Sequence, residues 1–349
     1  MLPFDVRACS GVFSWERTPF LYPRQQLVRR TLLVLLPFLG AGACARADTG
    51  TVDTRDAVAI DAVAIDAVAT DAIAMGTDDF GAPLPSDARF AARVVSLNPA
   101  ATEAIFTIGA DSLLVGRSRW DEYPKEVSRI AALGDGIRPN IEAVLAARPT
   151  LVVLYATAEN RVAANALARA GVRTIALRVD HIAQFHRLLA VLGRALGAEA
   201  RARVVSDSVQ STLDRVRALT ASRPRPRVVW PAWESPLLVI GGGSFIDELL
   251  TIAGADNVFH DMDAPSPPVS IEEIAKRDPD VVITGVARAA KLMASPSWQA
   301  IRAVREKRFI VQDPAVTGRP SVVLGMAAVQ LARALHPELR DSLLRDSLP

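Results

Sequence analysis

The side chains able to do chemistry are few in this sequence and widely spread. Cys9 and Cys44 stand alone, outside any CxxC or other metal-spaced cluster, so zinc and thioredoxin-type redox sites find no ligand set. The histidines are His181, His186, His260 and His336, and no HExxH frames any of them. Asp247 and Glu248 look like a carboxylate pair but have no partner base in the flanking sequence. The run 241–244, GGGS, could nest an anion ahead of a helix, yet it lacks a P-loop lysine. A strand-turn-helix corner accounts for it without a ligand. With GxSxG and GxxxxGK[ST] also missing, the residues point to binding rather than to an enzyme.

Aromatic residues make up only 5% of the chain, which makes each Trp and Tyr informative. Trp120 and Tyr123 sit in RSRWDEYP, Tyr155 directly follows TLVVL, and Trp230 and Trp233 sit in VVWPAWES. All of them come after predicted strands, the end at which α/β folds receive ligands. Trp298 reads as helix packing.

The elements that would carry these residues begin at residue 93. RVVSL (93–97), LLVG (113–116), TLVVL (150–154) and VRTIAL (172–177) are short apolar runs separated by helical stretches. RVVW (227–230), LLVI (237–240), DVVIT (280–284) and RFIV (308–311) repeat the pattern, and a helix over 319–335 closes it. Such alternation predicts α/β lobes with mostly parallel sheets. The halves also echo each other. NIEAVLAARPTLVVL (140–154) matches SIEEIAKRDPDVVIT (270–284), and TEAIFTIGADSLLVG (102–116) resembles DELLTIAGADNVFHD (247–261). Between them, residues 182–221 keep helical spacing, broken at Gly197. A helix of about 24 residues spans about 36 Å, enough to join two lobes. The expected architecture is therefore two Rossmann-like α/β lobes, 92–181 and 224–349, joined by linking helices over 182–223.

The N-terminal part has a different texture. Arg29 and Arg30 precede an apolar run over 31–42, which at about a dozen residues is shorter than the roughly 20 that span a membrane. A basic start, a short apolar stretch and small residues describe an export signal over 1–47. Ala-Gly-Ala before Cys44 resembles a lipobox, making Cys44 the candidate lipidation site, while Ala45-Arg46-Ala47 fits ordinary cleavage. The long leader suggests that translation starts near Val28. Residues 56–75 read DAVAI, DAVAI, DAVAT, DAIAM, and the stretch 48–91 is expected to be a low-complexity tether. Forty basic and 38 acidic residues leave a net charge of +2 in 349 residues, so no global field favours nucleic acid or an anionic membrane surface. Membrane contact is expected only through a lipid anchor.

The combination RVVSLNPAATEAIFTIG, VGRSRWDEYP, PNIEAVLAARPTLVV, GADNVFHD and PPVSIEEIAKRDPDVVI resembles the helical-backbone metal receptors over residues 93–337. These are class III periplasmic binding proteins for cobalamin, haem and iron-siderophores, and the likeness is nearest to the cobalamin-binding branch. The resemblance implies a monomeric receptor of an ABC importer that delivers a small metal chelate to a permease dimer with its ATPase. It implies a ligand between the lobes, against Trp120, Tyr123, Tyr155, Trp230 and Trp233. Trp and Tyr cover a flat macrocycle at little rotamer cost. It also implies permease docking through one glutamate per lobe, Glu142 and Glu272. First-turn acids also suit the helix dipole, and Ser270 with Glu273 makes a capping-box pattern. Two aromatic positions of the cobalamin binders are changed: the GDGIRPN loop (134–140) has no Trp, and Ser266 stands where a Trp is expected. No resident cofactor is expected. A haem ligand would need an axial donor such as His260, His181 or Tyr155. A siderophore would call on Arg117, Arg119 or Arg319, which otherwise read as solvated charges. A sensor or enzyme on the same scaffold is the alternative of another class.

Overall fold

The structure is a computed structural model that describes residues 76–85, 91–313 and 317–339, all within the compact unit Val63–Pro349. The export signal, Cys44 and the five-residue repeat lie outside the described residues.

The N-lobe is a parallel four-stranded sheet of β1 (Val94–Ser96), β2 (Leu114–Arg117), β3 (Leu151–Tyr155) and β4 (Arg173–Leu177), in the order β2-β1-β3-β4. Its strands are apolar on both faces because both faces are covered. Val94, Leu151, Val153 and Ile175 pack into one cluster, and the alternating Val95, Val152, Leu154 and Ala176 pack into another. Helix α1 (Pro99–Thr107) starts where Asn98 Oδ1 accepts the N–H groups of Ala100 at 3.1 Å and Ala101 at 3.4 Å, with Pro99 at the first position. Helix α2 (Ile141–Ala146) starts at Asn140, and α3 (Ala158–Arg169) at Thr157.

The C-lobe repeats this plan. Its sheet comprises β5 (Arg227–Val229), β8 (Asp256–Asn257), β9 (Val281–Thr284) and β10 (Phe309–Val311), in the order β10-β9-β5-β8. Helices α6 (Phe245–Ile252) and α7 (Ile271–Arg277) stand where α1 and α2 stand in the first lobe, capped by Ser244 and Ser270. The likeness reaches single hydrogen bonds. Arg93 Nη2 donates to Ala147 O at 2.8 Å at the end of α2, and Arg227 Nη2 donates to Arg277 O at 2.6 Å at the end of α7. Both helices then stop at a left-handed residue before proline, Arg148 at φ 49° and Asp278 at φ 42°. A non-glycine residue there costs about 1 kcal/mol, and both halves accept that cost at the same place.

The second lobe departs from the repeat at a hairpin inserted after β5 and at an added short helix before β10. The run 237–240 does not join the parallel sheet. Instead β6 (Pro231–Glu234) and β7 (Leu237–Val239) form an antiparallel hairpin. Helices α8 (Val286–Ala294) and α9 (Arg302–Arg305) cover the outer face, where Trp298 is buried in the core as expected. The closing helix starts later than predicted. Residues 319–323 are turns, and α10 covers Leu324–Leu335.

The lobes are joined by α4 (Ile182–Leu196) and α5 (Glu199–Thr220), separated by left-handed Gly197. They form a tight antiparallel pair, and a Cβ on Gly193 would lie 2.6 Å from Ala202 Cβ. The 22 residues of α5 span about 33 Å. Arg201 near its start packs over Gly109 of the N-lobe, and Thr220 at its end donates to Ile252 O at 2.9 Å in the C-lobe. One continuous core contains Val94 and Ile175 of the first sheet, Phe185 and Leu213 of the linking helices, and Val228 and Ile283 of the second sheet.

Residues 76–85 correct the expected tether. They form a turn docked on the free edge of β4, so the folded part begins ahead of residue 91.

Candidate functional site

The C-terminal ends of the parallel strands carry most of the aromatic candidates. Trp120 follows β2 and is half-buried, with the Arg119 guanidinium 4.9 Å from its ring centroid. Tyr123 is 50% exposed. Trp233 on β6 is 42% exposed, its indole N–H donating to Ser235 O at 3.1 Å. Trp230 packs against the shared core, so its ring serves the fold first. Tyr155 ends β3 and donates its hydroxyl to the Asp180 carboxylate. Burial, then that hydrogen bond, push the phenol above its ordinary value. An iron ligand would need the phenolate, which this environment opposes.

Sequence reasoning missed the aliphatic share of the surface. Ile137 in the GDGIRPN loop, Val286 after β9 and Val311 at the end of β10 are exposed, alongside Tyr123 and Trp233. Exposed apolar side chains of this size are candidates for contact with a ligand. Ile137 supplies apolar area in the loop that lacks the family's Trp.

Buried polar groups are tied together within the N-lobe. Thr102 Oγ1 donates to Ser96 Oγ at 2.8 Å, and Ser118 N–H donates to Asp121 Oδ2 at 2.6 Å. Burial pushes the Asp121 carboxyl up to about 6. Glu103, 2% exposed on α1, is paired with Arg319 of the C-lobe. Its signal in the sequence was a lone acid inside the apolar run AATEAIF.

Arg117 and Arg319 are part-buried and engaged, which corrects their reading as solvated charges, while Arg119 stays exposed beside its acid partner. Arg117 Nε donates to Ile130 O at 3.0 Å, Arg119 pairs with Asp135 at 2.5 Å, and Arg319 bridges the lobes. The acid pair also has partners that its flanking sequence did not reveal. Asp247 Oδ2 lies 2.7 Å from His260 Nδ1 and its Oδ1 accepts from Asn257 at 2.7 Å. Glu248 Oε1 lies 2.6 Å from His181 Nδ1 across the lobe boundary. His260 is exposed, while His186 is tied to Ser206 and held below its ordinary value by burial. His336 is buried against Ala253 O. Among the described residues, no three His, Cys, Asp or Glu side chains converge as a metal site.

The glycine run is a close-approach corner. Gly241 and Gly242 donate their N–H groups to Pro265 O and Met262 O, and a Cβ on Gly243 would lie 1.8 Å from Asp263 O.

Glu142 and Glu272 both occupy the first turn of their helices and are exposed. Hydrogen bonds from its own backbone and Ser270 hold Glu272 below the usual carboxylate range. The capping box around Ser270 is only half formed. Ser270 Oγ accepts from Glu273 N–H at 3.2 Å, but the Glu273 carboxylate pairs with Arg277 at 2.8 Å.

Two α/β lobes on a helical backbone give the architecture of a two-lobed binding protein. The chain belongs to the periplasmic binding protein family, whose pattern matches residues 94–316. It is 27% identical over 257 residues to an uncharacterised ABC transporter substrate-binding lipoprotein, YvrC, of Bacillus subtilis, covering 70% of this chain and 80% of that one. It is 29% identical over 214 residues to the vitamin B12-binding protein of Salmonella paratyphi A, covering 60% and 77%. The fold matches the periplasmic vitamin B12 binding protein BtuF of Vibrio cholerae with a TM-score of 0.63 at 22% identity, over 70% of this chain and 97% of that one.

Proposed function

We propose that this protein is the substrate-binding component of an ABC importer in the periplasm or cell envelope. It captures a cobalamin-class chelate between its lobes and presents it, as a monomer, to a permease dimer with its ATPase. The observation that carries this reading is the likeness to the vitamin B12-binding protein across both lobes, 77% of that protein's length. Trp120, Tyr123 and Trp233, with Ile137 and Val286, supply the faces that a corrin would cover. The metal arrives with the cargo, and the reading needs no resident cofactor. Anchoring at Cys44 is part of the proposal.

Titration with cyanocobalamin, followed by Trp fluorescence and calorimetry, tests it. A Kd below about 1 µM, with haem and a ferric siderophore binding more weakly, is the expected result. Binding of haem alone would move the cargo to another chelate, and silence with all three would sink the reading.

Glu142 and Glu272 are proposed as the docking pair, one per lobe and equivalent by the internal repeat. Glu142→Ala with Glu272→Ala should leave cobalamin affinity within about twofold, since both are exposed in the first turns of α2 and α7. The same variant should lose association with the permease in proteoliposomes. Undiminished association would return both residues to helix capping.

A further inference from the structure

The docked turn at residues 76–85 lies ahead of the region that matches the family. It is held by more than sequence proximity. Leu84 N–H donates to Gly76 O at 3.1 Å and closes the turn. Asp78 is 4% exposed inside it, and its Oδ1 accepts from Phe80 N–H at 2.9 Å and Ala82 N–H at 2.8 Å. Its Oδ2 accepts from Ala176 N–H of β4 at 2.9 Å, while Ala176 O accepts from Asp79 N–H at 2.9 Å. β4 is the sheet's edge strand, so the turn satisfies both outward groups of Ala176. The Phe80 ring lies under the Arg161 guanidinium at 4.4 Å.

The Asp79 carboxylate goes further. It accepts from Arg178 N–H at 2.5 Å and pairs with Arg187 on α4, whose Nη2 also donates to Thr77 O at 2.8 Å. Asp79 therefore ties the start of the short crossover that leaves the N-lobe sheet to the second turn of the linking helix it enters. That crossover holds Asp180. Arg178 Nε donates to Asp180 Oδ2 at 3.0 Å, Tyr155 donates to Asp180 Oδ1, and Asp180 O accepts from Phe245 N–H of the C-lobe at 2.8 Å. From the other side, Glu248 Oε2 accepts from Ile182 N–H at 2.9 Å.

We infer that Asp79 is a positioning residue of the ligand cleft, setting Tyr155 and the lobe junction through the crossover 178–182. The inference rests on the reading that ligand enters between the lobes. A mere cover for the sheet edge would stabilise β4 but would not reach Phe245 or the cleft.

The test uses the full chain with Asp79→Ala, Tyr155→Phe and the double variant, and Asp79→Asn in case the alanine form folds poorly. Without ligand, amide exchange should accelerate about tenfold at Arg178 and also at Phe245, whose acceptor sits on the crossover. With cyanocobalamin, Asp79→Ala should weaken binding about fivefold alone and leave it unchanged in the Tyr155→Phe background. Acceleration at Arg178 with none at Phe245 would reduce the turn to an edge cover and overturn the inference. So would an affinity loss that persists without the Tyr155 hydroxyl, or unchanged affinity in Asp79→Ala. If wild-type protein ignores cobalamin, the cargo assignment fails by itself, and the Phe245 amide still decides whether Asp79 positions the junction.

Discussion

Arg319→Met should cost about 2 kcal/mol of stability near neutral pH, because it strands the buried Glu103 carboxylate. The figure lies below the usual range for a broken buried pair because Arg319 keeps 28% of its side chain exposed. Burial raises Glu103 above its ordinary 4.5 even though the Arg319 charge pulls it down. A carboxyl with a raised folded-state pKa binds more protons folded than unfolded in the window between the two values. Its contribution is full below 4.5 and is lost as pH rises through the folded value. Removing Arg319 lifts that folded value further. The deficit of the variant should therefore shrink on acidification, and Glu103→Gln should recover most of it at neutral pH. Urea melts of the three variants across pH measure this. A deficit that stays flat with pH, or a double variant no better than Arg319→Met, would show that the pair is not what holds the lobes there.

Trp233→Ala should lower cobalamin affinity about 30-fold, as loss of an aromatic anchor worth about 2 kcal/mol does. The fold should barely notice, because the ring is already 42% exposed on the β6–β7 hairpin. Trp120→Ala should behave alike, with an added loss of the Arg119 contact. Trp230→Ala is the contrasting case. Its ring packs on the shared core, so the melting temperature should fall first. Calorimetric titration beside thermal melts separates the two outcomes. An unchanged affinity in Trp233→Ala would place the ligand away from the hairpin.

The repeat was legible because it is local. Ile141 and Ile271, Glu142 and Glu272, and Val144 and Ile274 share the same burial in turn, as an amphipathic period laid on one sheet demands. The caps Asn98, Asn140, Ser244 and Ser270 are equally local, each side chain accepting an N–H two or three residues further on. What stayed hidden joins distant residues without periodicity. Glu103 and Arg319 are 216 positions apart, and neither predicts the other. Asp78 and Asp79 continue a stretch already rich in regularly spaced Asp, so their docking on Ala176 had no distinguishing mark. The β6–β7 hairpin was masked because LLVI suits a parallel strand as well as an antiparallel one. Partners for Asp247 and Glu248 came from a loop and a lobe boundary, beyond any motif window.

The continuous core through both sheets and the linking helices has a consequence for how this chain unfolds. Leu213 and Val216 of α5 are buried together with Val94 of one sheet and Val228 of the other. Neither lobe keeps a complete apolar interior if the other is lost, so the two halves form one cooperative unit despite their duplicated plan. Melting should then be a single transition, and a half-chain ending after α5 would expose the surface that α10 normally covers. Duplication supplied the symmetry, but the shared helices have made each copy dependent on the other.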